Sequence, residues 1–179
     1  MLWLTRMSIF DTFDDMEADL LATQRADAWA LFTTMVYDSG QVAETHPVYR
    51  GWLGYHAALA AYGAAADVAL AARHIGRGGL AGHFAGAVEQ LRQSGPDPVV
   101  MPPWFEDTDV LRSHRSNIIR RWPEYADVWP GTPERMPYLF PFVDDEGGYT
   151  LNVSKAERAL LQERDRVLPK SIQKKVANL

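Results

Sequence analysis

The chain of 179 residues contains no cysteine. That excludes disulfides, thiolate zinc sites and thiol nucleophiles together. Long apolar runs are missing as well. The Ala-rich stretch 57–72 is broken by Tyr62, Gly63 and Asp67, and the apolar start Met1-Leu2-Trp3-Leu4 leads into acids rather than into a signal-peptide core. The reading is a cytoplasmic protein with no membrane partner. His74 and His83 lack acidic partners at ligand spacing, so no metal and no cofactor is expected. A basic surplus is also absent. The net charge of −5 argues against strong non-specific nucleic-acid binding. The average hides a gradient: residues 11–44 carry Asp11, Asp14, Asp15, Glu17, Asp19, Asp27, Asp38 and Glu44, whereas 151–179 is basic through Lys155, Arg158, Arg164, Arg166, Lys170, Lys174 and Lys175.

What is present is helical periodicity and aromatic residues. Phe13, Met16, Leu20, Leu31 and Met35 predict a helix over about 13–36. Its seam is interrupted at Gln24 and Asp27. A buried carboxylate is costly, so Asp27 must be paired, protonated or facing a cavity, unless the helix rotates it into solvent. Trp52, Tyr55, His56, Leu59, Tyr62 and Gly63 follow the spacing of a second helix, ending near His74 before Gly76, Gly78 and Gly79; His56 reads as a satisfied core histidine. Leu80, Phe84, Val88 and Leu91 predict a third. The prolines of Val99–Phe105 impose an extended segment. A fourth helix begins near Thr108 or Asp109. A Pro/aromatic segment from Trp122 to Pro141 has no clean period and reads as a wrap over the helices. Asp144-Asp145-Glu146-Gly147-Gly148 marks a boundary, and Ser154-Lys155-Ala156-Glu157 is a capping box that opens a basic tail helix. The expected fold is mainly α: a compact single-domain helical bundle over 1–141 with Pro/aromatic wrapping segments, then a linker and C-terminal helical extension over 142–179.

The fourth helix carries the densest chemistry. Leu111, His114 and Ile118 share one face, so a titratable ring sits among apolar anchors, flanked by Arg112, Arg115, Arg120 and Arg121. Cationic forks set against the overall charge suggest an anionic partner, and phosphate suits Arg best. The plainer reading is a solvated charged face around a core histidine.

Taken in order, several segments resemble the pyrimidine-dimer DNA glycosylase family, in particular its uncharacterised bacterial and phage branch. They are Leu20-Leu21-Ala22-Thr23-Gln24-Arg25 with Asp27; His46-Pro47 with Arg50-Gly51-Trp52, Tyr55, Leu59 and Tyr62-Gly63; Pro102-Pro103-Trp104; Ser113-His114-Arg115-Ser116-Asn117-Ile118-Ile119-Arg120; and Pro137-Tyr138-Leu139-Phe140-Pro141. The resemblance spans about 1–141. It implies an α-helical protein that acts on duplex DNA, flips a nucleotide and cleaves the glycosidic bond of a damaged pyrimidine. It also implies an N-terminal α-amine that forms a Schiff base with the sugar, and a carboxylate beside an Arg of the first long helix. The departures are specific. The best-understood phage members expose a Thr by Met removal, whereas here Leu2 is bulky enough to keep Met1 in place. Ala26 follows Arg25, so the nearest carboxylate is Asp27, where that branch carries its acid. Thr23 stands where a Lys is usual.

The candidate catalytic set is Asp27, Arg25 and His114. The DNA-binding set is His46, Arg50, Trp104, Arg112, Arg115, Asn117, Arg120 and Arg121, with Trp104 stacking on a base. Plainer roles remain open beside these: Arg25 in an ion pair and Trp104 as a core plug. The expected function is a DNA N-glycosylase, with or without AP-lyase activity, excising a damaged or modified pyrimidine from duplex DNA. The alternatives are a catalytically inactive DNA-binding relative and a phage-encoded protein-binding inhibitor.

Overall fold

The computed structural model describes residues 1–37, 46–75, 82–93, 99–154 and 157–158. These residues are mainly helical, with one small two-stranded sheet. They form two compact units, and the N-terminal segment supplies residues to both: Met1–Leu2 with Arg6–Pro102, and Trp3–Thr5 with the chain from Pro103.

In the first unit, α1 (Ile9–Asp14), α2 (Ala18–Tyr37), α3 (Pro47–Trp52), α4 (His56–Ala72) and α5 (His83–Gln93) follow in order. Helix α4 is the hub, contacting α1, α2 and α5. Its alanines let neighbours approach closely, and Phe13, Leu21, Leu59, Tyr62, Leu70 and Phe84 fill the core. The single helix expected over 13–36 is divided, and Phe13 belongs to α1. The division is stabilised from outside. Arg73 donates to the carbonyls of Phe13, Asp14 and Met16, which a continuous helix would have used itself. Asp15 accepts two hydrogen bonds from Arg6, at 2.6 and 3.1 Å, and this contact raises the Arg6 pKa further. The second expected helix is also divided, at Gly54, whose φ of +82° suits glycine. His56 consequently opens α4 and is half-buried, rather than lying in the core. The glycines at 76, 78 and 79, with Leu80, lie outside the described residues.

At Gly63 a Cβ would run into the Phe84 ring. Gly63→Ala is expected to destabilise the protein by about 1–2 kcal/mol, because the clash outweighs the roughly 1 kcal/mol that Ala gains over Gly in a helix. A urea midpoint that does not fall would contradict this packing.

In the second unit, α6 (Thr108–Arg121) is capped by Asp107, whose Oδ1 accepts from the N–H groups of Asp109 and Val110 at 2.8 and 3.3 Å. A 3-10 turn, Pro123–Ala126, follows. The Pro/aromatic segment ends in a strand. β1 (Leu139–Val143) pairs antiparallel with β2 (Tyr149–Val153), with Pro141 opposite Leu151. Each strand is an edge, so the missing N–H of Pro141 is tolerated. The stretch read as a boundary is the hairpin turn: Asp144 Oδ1 accepts from the N–H groups of Glu146 and Gly148, with Gly147 at φ +79°. A division at 141/142 would cut β1. The Tyr149 hydroxyl donates to Asp107 Oδ2 at 2.6 Å, tying the hairpin to the α6 cap; burial, then this bond, pushes the phenol up. Ser154 Oγ accepts from Glu157 N–H as the capping box requires. The tail helix expected beyond it lies outside the described residues.

Candidate active site

Helix α2 brings the site together. Asp27, Ala30, Leu31 and Thr34 recur at i, i+3, i+4 and i+7, one face of the helix. This face, Met1, Leu2 and the start of α3 (His46, Val48, Tyr49) enclose an open cavity of about 240 Å³. The Met1 nitrogen donates to Asp27 Oδ2 at 2.5 Å, with the two side chains 31 % and 38 % exposed. The carboxylate in the seam is thus both paired and cavity-facing. One turn earlier, Gln24 is completely buried. Its Nε2 donates to the Met1 carbonyl at 3.0 Å, and its Oε1 accepts from the Tyr62 hydroxyl at 3.0 Å. The Tyr62 ring lies edge-on against Phe13 and Trp52, with centroids 4.8 and 5.8 Å away.

Of the residues singled out in the sequence, Asp27 and His46 share this cavity. His46 is exposed at the N-cap of α3. Arg25 does not meet Asp27. It is largely buried and pairs with Asp67 of α4 at 3.2 Å, which fastens α2 to α4. Arg50 is half-buried on α3 and does not line the cavity.

The fourth-helix cluster belongs to the second unit, and its His114, Arg115 and Asn117 hold backbone. His114 is 2 % exposed, stacks on Tyr138 at 4.7 Å, and accepts from Leu4 N–H on Nδ1 at 2.9 Å. Burial pushes its pKa down to about 3. The Leu4 bond also requires an unprotonated Nδ1. A neutral, enclosed imidazole is no acid/base for a ligand, so the catalytic role expected for His114 is corrected to a structural one. Arg115 Nε donates to the Thr5 carbonyl at 2.6 Å. Ser113 Oγ donates to Pro137 C=O and accepts from Leu139 N–H, and Ser116 Oγ accepts from Met136 N–H. Asn117 is buried and donates to the Ser113 and Met136 carbonyls, at 2.8 and 3.3 Å. The run Ser113–Asn117 thus supplies side-chain partners to the backbone of Leu4–Thr5 and Met136–Leu139. Arg120 donates to Asn117 and Glu157, and Arg121 lies 5.3 Å over the Trp3 ring. Arg112 is exposed. Trp104 is 2 % exposed against Phe105, so it is a core plug and cannot stack on a base.

No family model, no curated protein and no solved structure matches the chain.

Among the described residues, no helix is long and apolar enough to cross a membrane, and no group of three or more His, Asp or Glu is arranged to hold a metal ion. The cavity does hold an amine and a carboxylate in contact, a pair suited to nucleophilic and proton-transfer chemistry. One sequence signal points to the same amine. All lysines of the chain, Lys155, Lys170, Lys174 and Lys175, follow residue 154. The first 154 residues thus contain no lysine amine.

Proposed function

We propose that this chain is a DNA N-glycosylase with AP-lyase capacity, excising a damaged or modified pyrimidine from duplex DNA. The observation that carries the reading is the Met1 nitrogen held 2.5 Å from Asp27 on a cavity wall. This is the amine–carboxylate pair that the family resemblance implies, on the helix where it implies it. Thus Asp27 takes a proton from the Met1 ammonium. The free amine attacks C1′ of the sugar, the glycosidic bond breaks, and the base leaves with the bonding pair. Protonated Asp27, or His46 on the same cavity wall, returns a proton to that base. The ring oxygen then departs from C1′, taking up a proton, and leaves a Schiff base between Met1 and the sugar. Water hydrolyses it, or loss of a C2′ proton expels the 3′ phosphate and cuts the strand. The cavity volume suits this use. A cavity of roughly 150 Å³ already accepts a benzene ring, so about 240 Å³ accommodates one flipped sugar or base.

The test is borohydride trapping on duplexes carrying a pyrimidine dimer, an abasic site or a modified pyrimidine, with free base assayed in parallel. The expected result is a covalent adduct together with released base. Base release without an adduct would replace the amine by water as nucleophile. Neither signal on any substrate would move the chain to the DNA-binding or protein-binding reading.

A further inference from the structure

We propose that Gln24 is the positioning residue that fixes Met1 against Asp27, with Tyr62 fixing Gln24 in turn; its meaning for catalysis rests on the glycosylase reading above. Gln24 and Asp27 lie three residues apart on one face of α2, and between them they take both backbone polar groups of residue 1: the carbonyl by Gln24 Nε2, the nitrogen by Asp27 Oδ2. A fully buried amide is unfavourable unless both its ends are satisfied. Here both are, and the chemistry fixes which end faces which partner. The Met1 carbonyl can only accept, so it must meet the NH₂ group. That leaves Oε1 to accept from the Tyr62 hydroxyl, as observed. Tyr62 is itself immobilised between Phe13 and Trp52. The chain of contacts Tyr62–Gln24–Met1–Asp27 thus runs from the packed core to the nitrogen on the cavity wall. Because the hold is on backbone atoms, it does not depend on a particular side chain at residue 1. It does require that the nitrogen carry no preceding residue.

Gln24→Leu removes both hydrogen bonds with an apolar side chain of similar size. Tyr62→Phe removes only the outer one. Leu59→Val, in the α4 core, serves as a variant that loses stability while keeping Tyr62, Gln24 and Asp27. The first readout needs no DNA: reductive alkylation by formaldehyde and cyanoborohydride under native conditions, followed at residue 1 by mass spectrometry. Released from its ion pair and carbonyl anchor, the nitrogen reacts several-fold faster in Gln24→Leu, less so in Tyr62→Phe, and at the wild-type rate in Leu59→Val. Unchanged labelling in Gln24→Leu, or equal acceleration in Leu59→Val, would overturn the proposal. The second readout is single-turnover trapping on abasic duplex. Misplacing a reacting atom by about 1 Å costs on the order of 100-fold, so the Gln24→Leu adduct rate falls by at least about tenfold while duplex affinity stays at the wild-type value. A Gln24→Leu adduct rate equal to wild type would also overturn it. If labelling changes as expected but the wild-type chain forms no adduct, the positioning role stands and the glycosylase reading fails.

Discussion

Asp27→Asn is expected to lower the single-turnover rate of adduct formation on duplex DNA by about 10²–10⁴-fold, the usual contribution of a placed general base. The substitution is nearly isosteric and leaves the Met1 nitrogen beside an amide oxygen, so the amine stays in place but has no carboxylate to take its proton. Stability reports separately. The pair is 31 % and 38 % exposed, and ion pairs of that exposure contribute at most about 1 kcal/mol. The melting temperature should therefore hardly move while the chemistry collapses. Asp27→Glu keeps the charge and displaces it by one methylene, so its rate should lie between the two. An Asp27→Asn rate within a few-fold of wild type would remove Asp27 from the mechanism.

The second large effect concerns His114 and has nothing to do with ligand. His114→Ala is expected to destabilise the protein by roughly 2–4 kcal/mol at pH 7, through the cavity left in the core and the buried Leu4 N–H left without an acceptor. The pH dependence is more diagnostic. Burial holds the folded-state pKa at about 3, against about 6.5 for an unfolded chain. Above pH 6.5 the ring is neutral in both states and contributes no pH dependence. As pH falls below 6.5 the unfolded chain gains a proton that the folded chain refuses. Stability then drops by about 1.4 kcal/mol per pH unit until the folded ring also titrates near 3. Carboxylates titrate over the lower part of the same range, so the comparison is between wild type and His114→Gln, measured by urea denaturation from pH 7 to pH 4. Glutamine can still accept from Leu4 and does not titrate. The wild type should lose stability more steeply. Parallel curves would mean that the ring is open to solvent.

These two residues show what the sequence could and could not reveal. The polar interruption of the α2 seam at Gln24 and Asp27 was legible, because an apolar stripe with two polar members demands partners. What those partners are was not legible: the Met1 nitrogen is 26 residues from Asp27 and arrives there only through the tertiary fold. The i, i+3, i+7 placement of Leu111, His114 and Ile118 gave the buried face of α6 correctly. The role assigned to His114 was reversed, because spacing puts a ring on a face without saying whether that face opens to a ligand or closes on backbone. The same ambiguity covers Trp104, Arg115 and Asn117, residue types that serve a binding surface and an interior equally well. The hairpin was missed for a local reason: β1 contains Pro141 and is only five residues long, too short to establish a period. The division of the first long helix depends on Arg73, nearly 60 residues from the carbonyls it takes, and no local pattern contains that information.

The most direct test of the central claim is to map the residue that borohydride fixes to an abasic duplex. The wild-type chain is trapped, digested with protease and nuclease, and sequenced by mass spectrometry. The account predicts the sugar remnant on the nitrogen of Met1, and no adduct from a chain extended by residues before Met1. A remnant on Lys155, Lys170, Lys174 or Lys175, or an extended chain that still traps, would contradict it.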